Sequence, residues 1–142
     1  MLAVILPVTL APSAYAHHSH FYDQCTSITI EGRVERVEFK NPHNSIMLRL
    51  DEGTGYIVDW LNVTRLTDAG IIVAAKQAMV AGARIVATGF LIKNVAEIRH
   101  VAPKFKGDVD PNTVEARSIR RVDDSFSWAP SPRAYTPNCP GN

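Results

Sequence analysis

The chain has 142 residues, 46% of them hydrophobic, and 15 Lys and Arg against 14 Asp and Glu give a formal net charge of +1. Such near-neutrality supplies no electrostatic footprint for nucleic acid or for an anionic membrane surface, each of which needs clustered excess Lys and Arg. The one local run, Arg117, Arg120 and Arg121, is countered by Glu115, Asp123 and Asp124, and the length suits one domain with one core.

Residues 1–16 hold an apolar run from Leu2 to Leu10 and then small residues ending in Ala14-Tyr15-Ala16. That order is the pattern of a secretory signal with a peptidase site, although no Lys or Arg precedes the run. The run is too short to span a bilayer, and Pro7 and Pro12 argue against its being a buried strand. The expectation is an exported protein, periplasmic or secreted, that is mature from His17 and has no membrane span in its mature part.

From Ile28 the apolar positions alternate through Ile30, Gly32 and Val34, then change phase so that Val37 and Phe39 continue the same side. A phase slip beside a glycine predicts a bulge in a long, bent first strand. Asn41-Pro42-His43-Asn44 is a turn, Ile46, Leu48 and Leu50 mark a second strand, and Asp51 to Gly55 forms a hairpin loop. Tyr56 to Val63 is a third strand, with Tyr56, Val58 and Trp60 on one face and Ile57, Asp59 and Leu61 on the other. Thr64 to Met79 has helical spacing at Leu66, Ala69, Ile72, Val73 and Lys76, interrupted near Gly70. After the Ala81-Gly82 turn, Ala83 to Ile92 is a fourth strand and Ala96 to Pro103 a fifth.

The expected fold class is therefore mainly β: a small five-stranded OB-like barrel with one short helix between strands 3 and 4, plus an extended C-terminal tail. A small open sandwich would give the same string of elements. The barrel is expected over residues 17–106 and the Pro-rich tail over 107–142, with Phe126, Trp128 and Tyr135 pinning the tail to the barrel. Cys25 and Cys139 are placed to staple that tail to the first strand. Closing so long a loop would contribute on the order of 4 kcal/mol in the chain-entropy model. Two free thiols, or a thiolate joining histidines on a soft metal, are the competing readings.

His17-His18-Ser19 behind the cleavage site, Glu31-Gly32, the run Val37 to His43 ending in Asn41-Pro42-His43, Trp60, and the later Ala69-Gly70 and Thr88-Gly89 form a recognisable order. Over His17 to Ala102 the chain resembles a family of small exported bacterial proteins of unknown function. That family continues with Phe after His-His-Ser, Ser after Asn-Pro-His and Glu shortly after the Trp, where this chain has His20, Asn44 and Asn62. The resemblance implies no established activity.

The chemistry rests on five histidines: His17, His18 and His20 in the terminal cluster, His43 in the first turn and His100 in the expected fifth strand. Cleavage after Ala16 would make His17 a bidentate anchor, through its free amine and its imidazole Nδ1. A second imidazole would then complete the T-shaped nitrogen set called a histidine brace, with His43 the first choice and His18, His20 or His100 the others. Open nitrogen coordination favours Cu(II), with zinc or nickel next. Cleavage after Tyr15 would instead leave Ala16-His17-His18, an amine-amide-imidazole arrangement for Cu(II) or Ni(II). Solvated histidines without a metal are the plain alternative.

No nucleophile elbow, phosphate loop or paired-carboxylate motif is present, so no catalytic residue is assigned. Asp59 reads as a strand position, and Trp60 with Tyr56 as core. Two function classes follow. One is a periplasmic copper-binding protein acting as carrier, buffer or redox site. The other is a non-catalytic module that docks on another exported protein or on copies of itself.

Overall fold

The computed structural model describes residues 21–130 and Cys139. The expected signal segment, His17, His18, His20 and Tyr135 lie outside the described residues.

Strand β1 (Tyr22–Glu38) is 17 residues long and serves two neighbours. Its first half pairs antiparallel with β4 (Arg84–Ile92) and its second half with β2 (Asn44–Arg49), which in turn pairs with β3 (Gly55–Trp60). The ring closes through β5 (Thr113–Arg121), antiparallel to β4 and parallel to β3, where Ile57, Val58 and Asp59 face Thr113, Val114 and Glu115. This five-strand ring is an OB-like barrel, and closure leaves no free edge among the five.

The bend that lets one strand serve both neighbours has two local causes. Between Val34 and Arg36 the register shifts, so Glu35 is the extra residue of a bulge, as the phase slip in the sequence predicts. At Gly32 a Cβ would stand 2.8 Å from the Arg49 carbonyl oxygen, so only glycine permits this approach of β1 to β2. The interior is filled by Val34, Ile46, Leu48, Val58, Ile85, Ala87, Val114 and Ile119, the inward halves of the alternating patterns.

Two short helices, α1 (Val63–Asp68) and α2 (Ile72–Ala78), cross between β3 and β4 and send Leu66, Ala75 and Ala78 into the same core. The break falls at Gly70, whose φ of +70° ends α1 in the left-handed conformation. One interrupted helix was expected there, and the interruption is complete.

Two expectations need correction. Residues 96–103 are not a strand: α3 (Val95–Val101) occupies them, opened by Asn94, whose side chain accepts the Glu97 N–H while Glu97 reaches back to the Asn94 N–H. This capping box satisfies two end donors and outweighs the weak alternation of Ala96, Ile98 and His100. The true fifth strand lies beyond Lys106, in the segment expected to be tail. Its alternation is hidden by a register shift after Ala116, so the inward residues run Val114, Ala116, then Ile119.

The barrel therefore extends to Arg121, followed by a short strand β6 (Ser127–Trp128) paired with β5. Phe126 is buried against the core, and Trp60 meets the rings of Phe126 and Trp128 edge-on at 5.9 and 5.6 Å. Cys25 and Cys139 form a disulfide across 114 residues of sequence. That bond removes the thiolate-ligand reading, because neither sulfur is free. Among the described residues no helix is long and apolar enough to cross a membrane.

Candidate metal centre

β2 begins at Asn44 and β3 ends at Trp60, and the two are register partners. The turn feeding β2 thus stands beside the end of β3. Asn44 is fully buried; its Oδ1 accepts the Lys40 N–H at 2.8 Å, and its amide donates to the Leu61 carbonyl. One buried side chain with both ends engaged ties the turn to the segment that follows β3. Within this turn the Asn41–Pro42 peptide is cis. His43 follows it, half-buried, and lines a groove of about 440 Å³.

The facing wall comes from the start of β1, the end of β3 and the start of β5. Tyr22 donates its hydroxyl to Asp59 Oδ2 at 2.7 Å, and Ser45 donates to Asp59 Oδ1 at 3.1 Å. Burial above all, and then the Asp59 carboxylate, push the Tyr22 phenol well above its ordinary range. Glu115, opposite Asp59 on β5, lines the same groove. Burial is also the main cause that raises its carboxyl above the usual range, with Asp59 adding to it and Arg117 opposing. Among the described residues, Glu115 Oε2 and Trp60 Nε1 are buried and have no hydrogen-bond partner.

Trp60 and Trp128 form an aromatic side of the groove. Arg65 and Arg117 add positive charge at its border, and the Arg117 guanidinium lies 5.8 Å from the centre of the Phe90 ring. Asn62 lines it too, and its side chain caps α1 by accepting the Arg65 N–H at 2.8 Å.

Of the sequence-derived histidines, His43 reaches this groove. His100 does not line it, and sits exposed in the last turn of α3. His17, His18 and His20 precede Phe21 in the chain. Its carbonyl accepts the Lys93 N–H at 2.7 Å, and its ring meets Phe105 edge-on at 5.4 Å. Tyr22, next in the chain, is already part of the groove wall.

Tyr22, Asp59 and Glu115 were not singled out as site residues from the sequence. From the sequence Asp59 reads as a strand position on the face opposite Trp60, and Glu115 falls in the expected tail. The visible signal was a carboxylate beside Trp60 at the end of an alternating strand, which needed the β3–β5 pairing to acquire a partner.

An imidazole and a carboxylate are both donors for borderline divalent metals. Among the described residues, however, no three His, Cys, Asp or Glu side chains are grouped to hold an ion. A metal at this groove would require further donors from outside those residues.

Among solved structures, the chain is similar to the S. pombe Stn1–Ten1 complex, with 14% identity and a TM-score of 0.46 over 69% of this chain and 59% of that one. No curated protein matches it. A family model described as "Family of unknown function (DUF6152)" matches residues 6–97, a span that includes both the terminal histidines and Asn41-Pro42-His43. The chain belongs to this family of unknown function, DUF6152.

Proposed function

We propose that the protein is an exported copper-binding protein, a carrier or buffer, that holds Cu(II) between its mature N-terminal histidine and His43. The observation that carries this reading is convergence. The histidine cluster is joined through Phe21 to Tyr22, and Tyr22 and His43 line one groove. An extended chain advances about 3.3–3.6 Å per residue, so His17, five residues before Tyr22, is limited to a radius of about 18 Å from it. His20 is limited to less than half of that.

In this reading His17 supplies its amine and Nδ1, and His43 supplies the third nitrogen. Nitrogen donors with open positions favour Cu(II) on the divalent stability order, ahead of zinc and nickel. Asn44 has the positioning role, because the two hydrogen bonds of its buried side chain hold the turn that carries His43. The disulfide supports an oxidising destination such as the periplasm.

The test is a Cu(II) titration of the chain beginning at His17, against the same chain with one alanine added in front. Both tryptophans of the protein line the groove, so their fluorescence follows the titration. The expected result is one equivalent of tight, quenching Cu(II), weakened by about tenfold or more in the extended chain, a loss of about 1.4 kcal/mol or more. Equal affinity in the two chains overturns the reading.

A further inference from the structure

The groove carries charges of both signs on an apolar frame. Asp59 and Glu115 contribute carboxylates, and Arg65 and Arg117 contribute guanidiniums, so the formal charges of these four cancel. Pro42, Leu61, Trp128 and Pro130 add apolar surface to the same groove.

The two carboxylates are not equally engaged. Asp59 is matched, since Tyr22 and Ser45 each donate to one of its oxygens. Glu115 Oε2 is buried and has no hydrogen-bond partner among the described residues, Arg117 included. A covered carboxylate oxygen without a donor is costly, and more costly beside a second carboxylate. The parallel pairing of β3 and β5 enforces that arrangement by setting Asp59 opposite Glu115. Glu115 as a whole is only half-buried, so its carboxyl can turn about its own side-chain bonds to meet a group in the groove.

This lining restricts what fits. A simple anion meets Asp59 and Glu115, and a simple cation meets Arg65 and Arg117. A neutral polyol clashes with neither, but it offers Glu115 only neutral donors, whereas a bond with charge on both sides is roughly twice as strong. A molecule with separated charges of both signs and an apolar body matches all three parts of the lining. The volume, about 440 Å³, lies in the ordinary range of small-molecule sites.

We propose that the groove binds a zwitterionic amino compound, an α-amino acid with a large apolar side chain, with its ammonium on Glu115, its carboxylate on Arg117 and its side chain against Trp128. No metal takes part, and none of these three residues belongs to the copper reading above.

The experiment titrates the full chain, free of metal, with L-phenylalanine, with phenylpropionate, which lacks the ammonium, and with phenethylamine, which lacks the carboxylate. Calorimetry gives the affinities. Both tryptophans of the protein line the groove, so their two indole N–H resonances should shift as L-phenylalanine binds. Loss of either charged group from the probe should weaken binding by about tenfold or more. Glu115→Gln should weaken L-phenylalanine by about tenfold or more and leave phenylpropionate unchanged, and Arg117→Met should weaken L-phenylalanine while leaving phenethylamine unchanged. Circular dichroism checks that both variants fold, and the comparison of the three probes on the wild-type chain needs no variant. No saturable binding of L-phenylalanine below about 10 mM, or equal affinity for the three probes, overturns the proposal. Unchanged L-phenylalanine affinity in folded Glu115→Gln overturns it as well.

Discussion

Replacing Tyr22 with phenylalanine removes one oxygen atom and nothing else, at the point where the histidine-bearing terminus joins the barrel. The ring stays packed, since Tyr22 is only 7% exposed, but Asp59 loses the 2.7 Å donor to Oδ2 and keeps only Ser45 at 3.1 Å. Hydrogen bonds to charged groups contribute about 1.5–3 kcal/mol, so a loss of about 2 kcal/mol is expected. For a domain of this size that corresponds to a fall in Tm of roughly 6–10 °C. Urea denaturation of wild type, Tyr22→Phe, Asp59→Asn and the double variant isolates the pair. A coupling energy of about 1 kcal/mol or more should appear, because the two residues touch. If Tyr22→Phe costs the same in the Asp59→Asn background as in wild type, the phenol–carboxylate bond does not anchor β1.

Three further outcomes follow from the same wall and its supports. The folded state holds the Glu115 proton more tightly than the unfolded chain does, so this group favours folding below about pH 4.5 and loses that contribution as pH rises through its raised folded value. In metal-free protein Glu115→Gln should therefore be more stable than wild type at pH 7, with the advantage shrinking toward pH 4; a constant difference across a urea series at several pH values would contradict this. Asn44→Ala removes the buried side chain that bonds the Lys40 N–H and the Leu61 carbonyl and should cost about 1–3 kcal/mol in denaturant unfolding, with a cost below about 0.5 kcal/mol refuting its role as the tie. Gly89→Ala forces β4 and β5 apart at Glu115 and should cost roughly 1–3 kcal/mol, whereas an unchanged denaturation midpoint would show that the strands can part without loss.

The legible parts of the fold were those with an unbroken local pattern. The bulge in β1 and the two-face patterns of β2 and β3 follow from side-chain alternation, the hairpin loop at Asp51 to Gly55 from the turn residues that break it, and β4 from its continuous apolar run, all properties of neighbouring residues. The fifth strand was misplaced for two separate reasons. Asn94 and Glu97 form a helix start that overrides the weak alternation of residues 96–103, while the register shift in β5 disguises Val114, Ala116 and Ile119 as a mixed charged segment.

The same misplacement hid half of the candidate site. His43 stood out because a Pro-preceded turn beside strands is a local signal. Glu115 and Tyr22 become neighbours of Asp59 only through the β3–β5 pairing and the start of β1, both long-range features. The Cys25–Cys139 pairing was legible because the chain has just two cysteines.

Pulsed electron paramagnetic resonance on Cu(II)-loaded mature protein tests whether His43 and the mature terminus bind one copper ion, as proposed above. With ¹⁵N-labelled histidine, the account predicts coupling from the imidazoles of both His17 and His43, and loss of one of the two in His43→Ala. The same imidazole couplings in His43→Ala as in wild type would contradict it, and would place copper on the terminal segment alone.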